Sequence, residues 1–127
     1  EIANNANANI TIRIHCDSIN DSGKTGATIL IPAKDCQYTK GIYCESNSYA
    51  EILKKVLQDN NIKVNGIFQR NDITGFNWSR VPVVILEMGF MSNYNEDQML
   101  SDPAYQKLLM KCVSEAIDNY SEKVLKG

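Results

Sequence analysis

Hydrophobic positions recur along this chain with two periods, and the switches between them mark its elements. Ile10, Ile12 and Ile14 alternate with Thr11, Arg13 and His15, which predicts a strand over 10–15 with His15 at its end. Ala27 to Ile31 predicts a second strand, stopped by Pro32. Val83-Val84-Ile85-Leu86 follows Pro82 and runs straight into Glu87; four apolar residues rich in β-branching predict a strand buried on both faces, broken at Gly89. A weaker alternation over 62–68 predicts an edge strand. Between these, Tyr49, Ile52, Leu53, Val56 and Leu57 share one helical face behind the capping box Ser48-Tyr49-Ala50-Glu51, so a helix is expected from 48 to Asn60 and Asn61. A longer stripe of Tyr105, Leu108, Leu109, Cys112, Val113, Ala116, Ile117, Tyr120 and Val124 predicts a closing helix. Asp102 would cap it, Pro103 would stand first, and it would run to about Lys123 or beyond. Residues 93–100 suggest one helical turn with Asn93 capping it, residues 33–47 and 70–78 read as loops, and the Asn- and Ala-rich start could finish a helix.

Strands separated by helices favour parallel pairing, so the expected fold is α/β, a mostly parallel sheet flanked by helices. At 127 residues the chain reads as one domain, 1–127. A net charge of −2 without a basic cluster argues against a nucleic-acid surface. No apolar run approaches the ~20 residues of a membrane span. Four cysteines occur without a Cys-x-x-Cys pair, so the structural-zinc spacing is missing. Cys36 and Cys44 flank a loop and could pair in an exported protein, four free thiols being the alternative; Cys112 belongs to the core face.

Glu87 ends a buried strand, where open α/β sheets gather their chemistry and where scarce water raises a carboxyl pKa. A carboxylate that merely leaves the core for solvent is the competing reading. His15, the single histidine, also ends a strand. If the two strands are parallel neighbours, His15 and Glu87 emerge together although far apart in sequence. Cys16 must point away from His15, while Asp17 returns to its side if the strand continues. Two chemistries fit: hydrolysis at a metal held partly by His15, or plain His–Glu acid–base work.

Three stretches together resemble the zinc-dependent N-acetylmuramoyl-L-alanine amidases of bacteria, the amidase_3 type. They are Ile2-Ala3-Asn4 with Ala8 to Ser18, then Gly26-Ala27-Thr28, and above all Val81-Pro82-Val83-Val84-Ile85-Leu86-Glu87-Met88-Gly89-Phe90-Met91-Ser92-Asn93. The resemblance implies a three-layer amidase architecture lacking its N-terminal strand or strands. It implies cleavage of the amide between muramic acid and L-alanine in peptidoglycan by zinc-activated water, in a secreted, cell-wall autolysin. His15 would be a zinc ligand and Glu87 the general base and proton donor, the two other family ligands being absent from this chain. Asp17 would meet the metal or the substrate; Arg70 would meet a stem-peptide carboxylate or stay a solvated loop charge, and Trp78 could stack on a glycan ring or pack on its own domain. The 127-residue chain alone is expected to bind zinc weakly and to be nearly inactive. An inactive wall-binding or regulatory fragment is the alternative, and an exposed sheet edge would favour self-association or a complementing N-terminal fragment.

Overall fold

The most continuously apolar segment becomes an interior strand of a four-stranded sheet. The computed structural model describes residues 1–127, the side chain of Leu125 excepted. In chain order it forms α1 (Ile2–Asn5), β1 (Thr11–Asp17), β2 (Ala27–Pro32), α2 (Tyr43–Asp59), β3 (Val64–Arg70), α3 (Thr74–Asn77), β4 (Val83–Phe90), α4 (Tyr94–Leu100) and α5 (Pro103–Lys126). The strand order is β1-β4-β2-β3. β4 runs parallel to β1, β2 parallel to β3, and β2 antiparallel to β4. The sheet is therefore mostly parallel by pairing, with one antiparallel seam through its middle.

Alternation along β4 sorts its side chains between two cores. Val84 and Leu86, both 0% exposed, pack with Tyr49, Leu53 and Leu57 of α2 and with Leu109, Cys112 and Ala116 of α5. The rings of Tyr49 and Tyr120 meet edge to face at 5.7 Å across the two helices, a favoured aromatic geometry. Val83 and Ile85 face the other way, onto Ile42 and onto Phe76 of α3. Both long helices thus cover one face, and a one-turn helix with its loop covers part of the other.

Several element bounds differ from the sequence reading. α2 starts at Tyr43 rather than Ser48, with Ile42 at the cap and no capping side chain. Ser46, read as loop, is buried in the first turn; its hydroxyl donates to Ile42 O (2.7 Å) and accepts from Val83 N (3.0 Å). Gly89 does not break β4, which continues to Phe90. A Cβ on Gly89 would lie 2.6 Å from Glu96 Oε2, so glycine stands there to admit a neighbour. The 70–78 loop contains α3, and Val124 is half exposed rather than part of the buried stripe. Asn93 and Asp102 cap α4 and α5 as expected, and all four cysteines are free thiols.

Candidate functional site

β1 and β4 run in register from Thr11 beside Val83 to His15 beside Glu87. Neighbours across a parallel ladder lie about 5 Å apart and share a face, so the two residues stand side by side on the face away from α2 and α5. A register shift follows between His15 and Asp17, leaving Asp17 opposite Phe90, with Met91 N donating to Asp17 O at 2.7 Å. The extra residue lies in β4, and ordinary alternation along β1 brings Asp17 back to the cavity that Glu87 lines while Cys16 packs against the helical core. On the other side of Glu87, Thr28 of β2 is its register partner.

Glu87 is half buried, and its Oε2 is fully enclosed without a hydrogen-bond partner among the described residues. Burial above all holds its pKa above the ordinary carboxyl value; nearby Asp17 adds to the rise and His15 offsets part of it. A carboxyl so placed carries a proton more readily than one in water. The Cys16 thiol is likewise pushed up, first by burial and then by Glu87 and Asp97, which disfavours a thiolate there.

The cavity at Glu87 has a volume of about 450 Å³ and is walled by Asp17, Lys24, Thr28, Phe68, Arg70 and Glu87 among others. Asp17 and Arg70 therefore share one cavity with Glu87. The Arg70 guanidinium is already gripped on both prongs by Asp72, Nε to Oδ1 and Nη2 to Oδ2 at 2.7 Å each, so a ligand carboxylate would have to compete for it. The ammonium of Lys24 lies 5.7 Å from the centre of the Phe90 ring. Trp78 is elsewhere, 78% exposed at the end of α3, and does not pack into the domain.

Glu96 was not anticipated as part of this region. From the first turn of α4 its carboxylate accepts N–H groups from Phe90 (Oε2, 2.6 Å) and from Gly26. It thereby fastens the end of β4 to the entry of β2, three residues beyond Glu87. Gly26 has φ +97°, a left-handed backbone that glycine adopts without steric penalty. Asn93 Oδ1 accepts from Glu96 N at 3.0 Å, and Asn93 Nδ2 donates to Ser22 O at 2.8 Å. The Asn93-x-x-Glu96 spacing of a capping box was the available signal, although here the carboxylate reaches strands rather than its own cap.

A zinc site requires about three protein donors. Among the described residues no three His, Cys, Asp or Glu side chains group closely enough to hold a metal. His15 is one imidazole, and the carboxylates beside it do not complete a set, so these residues do not by themselves fit a zinc ion. No described helix is long and apolar enough to cross a membrane.

The chain is 26% identical over 109 residues to a probable cell wall amidase, LytH, of Staphylococcus saprophyticus, covering 86% of this chain and 34% of that protein. It is similar in structure to the CwlD amidase of Clostridioides difficile, solved in complex with the GerS lipoprotein, at 32% identity and a TM-score of 0.70, covering 95% of this chain and 58% of that one. The amidase Ami1 of Mycobacterium abscessus shares the fold at a TM-score of 0.82 and 22% identity, covering 94% and 57%. This chain thus spans about a third of the staphylococcal relative and under two thirds of both solved chains. The model of the family Amidase_3, N-acetylmuramoyl-L-alanine amidase, matches residues 1–119, and the chain belongs to that family.

Proposed function

We propose that the protein carrying this chain hydrolyses the amide between N-acetylmuramic acid and the L-alanine of the stem peptide in peptidoglycan. The observation that carries the reading is Glu87: a half-buried carboxylate at the end of an interior strand, one oxygen enclosed and unpartnered, beside the single imidazole. Water adds to the amide carbonyl carbon, the Glu87 carboxylate takes the water's proton, and the same carboxyl returns it to the alanine nitrogen as the C–N bond breaks. A carboxyl with a raised pKa suits both halves of that transfer. His15 lies where it could ligate the zinc that the resemblance implies. The described residues do not complete a zinc site, so proton handling by Glu87 is the part of the reaction that this chain itself supplies.

Asp17, in the same cavity, meets polar groups of the substrate; Arg70 does so only after leaving Asp72. The relatives bear amidase names, which favours a hydrolase over an inactive wall-binding or regulatory fragment. A wall polymer as substrate puts the working protein outside the membrane, secreted or at the wall.

The test uses purified sacculi. The protein should release stem peptides with newly free alanine amino groups, and Glu87→Gln should slow release by about 10²–10⁴-fold, the usual worth of a positioned acid–base group. Release at the native rate after Glu87→Gln overturns the assignment. The 127-residue chain alone should hold well under one zinc per molecule, which metal analysis of the purified chain would measure.

A further inference from the structure

We propose that Trp78 and Tyr38 form a second carbohydrate subsite, separate from the Glu87 cavity, that holds the uncharged glycan strand of the wall polymer; this rests on the hydrolase reading above. Trp78 is 78% exposed and Tyr38 64%, although large aromatics gain most from burial. They stand on the wall of one open cavity of about 500 Å³, with Thr74 and Asn77 completing it. Among the described residues no charged side chain lines it, which disfavours a phosphate or anionic lipid as occupant. Flat apolar rings beside hydroxyl and amide groups match a sugar, which has an apolar C–H face and hydroxyl edges.

The two aromatics are mounted firmly. Trp78 N donates to Thr74 O at 3.0 Å, and its carbonyl accepts from Asn4 Nδ2 at 2.9 Å. The Asn4 Oδ1 also accepts from Arg80 N at 2.8 Å, so one side chain pins the backbone directly after the indole's anchor. Tyr38 rides on a turn held by buried Thr39, whose hydroxyl donates to Ala33 O at 3.0 Å. Cys36 Sγ, 3.8 Å from Asn77 Oδ1, ties that turn to α3. A firmly held backbone beneath two exposed rings lowers the ordering cost of binding a ligand. Trp78 also borders a cleft lined by Thr11, Arg13 and Val83, and Thr11 lies four strand residues, about 13 Å, from His15 on the same face. A glycan of a few sugars covers that span.

Trp78 is the single tryptophan, so intrinsic fluorescence reads this subsite directly. Titration of the chain with chitotetraose, a glycan without stem peptide, should give a saturable blue shift from a solvent-like starting emission. Tyr38→Ala keeps the probe and should weaken binding about fivefold or more, as loss of one stacking ring does. No shift up to about 10 mM sugar, a blue-shifted emission already in the free protein, or a titration unchanged by Tyr38→Ala would each overturn the proposal. The titration needs neither metal nor Glu87. Silence towards sugar with Glu87-dependent release from sacculi sinks only the subsite. A sugar-induced shift alongside release that survives Glu87→Gln leaves the subsite standing and sinks the hydrolase assignment.

Discussion

Replacing Glu96 should unfasten the strand end on which Glu87 stands. In Glu96→Ala the N–H groups of Phe90 and Gly26 lose a charged acceptor. A hydrogen bond to a charged group contributes about 1.5–3 kcal/mol net, and an orphaned buried donor costs about 1–3 kcal/mol. Two such bonds give an upper figure of about 6 kcal/mol. The region is part buried, so water reaching the freed donors lowers this to about 2–4 kcal/mol, a large share of the 5–15 kcal/mol that holds a typical domain. Glu96→Gln keeps the shape but offers one oxygen and one NH₂. It should retain one bond, set donor against donor at the other, and cost about 1–2 kcal/mol. Urea unfolding followed by far-UV circular dichroism measures both, with an unchanged slope identifying loss of stability rather than a change in compactness. Hydrogen exchange at Phe90 and Gly26 should quicken in step. A Glu96→Ala cost below about 0.5 kcal/mol, with both amides still protected, would refute the clamp.

Gly89→Ala should cost about 1–3 kcal/mol by driving a methyl onto the Glu96 carboxylate; in a Glu96→Ala background the penalty should largely vanish, which a double-mutant cycle reads as coupling. In chelator-treated protein, Glu87→Gln should stabilise the fold at neutral pH. The folded carboxyl has a raised pKa and so binds its proton more tightly than the unfolded one, near pH 4.3. Native stability therefore falls as pH rises through that window, and the advantage of the glutamine variant should disappear below about pH 4. Leu86→Ala, at a position 0% exposed between α2 and α5, should cost about 2–5 kcal/mol in the same urea assay. Asn4→Ala frees the Trp78 carbonyl and the Arg80 N–H, and should lower the fluorescence anisotropy of Trp78 while leaving the circular dichroism spectrum unchanged.

The strands were legible because each carries its signal locally. Alternating isoleucines mark β1, and a β-branched run behind a proline marks β4. The side-by-side placement of His15 and Glu87 followed from assuming parallel neighbours, which the register bears out. What stayed hidden depends on contacts far along the chain. The start of α2 at Tyr43 is held by Ser46, whose hydroxyl serves Val83 37 residues away, so a local capping box pointed to the wrong residue. Gly89 read as a breaker because its role, making room for Glu96, is tertiary. The antiparallel seam between β2 and β4 likewise has no local signature, since the direction of a strand is set by the path of the loops that deliver it. For the candidate site, the carboxylate and the imidazole were readable from strand ends. The clamp by Glu96 and the exposure of Trp78 were not, because neither alters the hydrophobic pattern.

The position of β4 also sets when a site can exist. β1 has β4 as its sheet neighbour, and β4 arrives some 65 residues after β1 ends. Until residue 90 is made and threaded between β1 and β2, the β1–β4 ladder cannot form and His15 has no Glu87 beside it. Pairings this remote in sequence form slowly, because loop closure must precede any gain from contact. A chain caught before that step would expose the edge of β1 that β4 later covers, the kind of surface that chaperones hold. On the function proposed above the same delay is protective: His15 and Glu87 come together only when the last strand slots into the middle of the sheet.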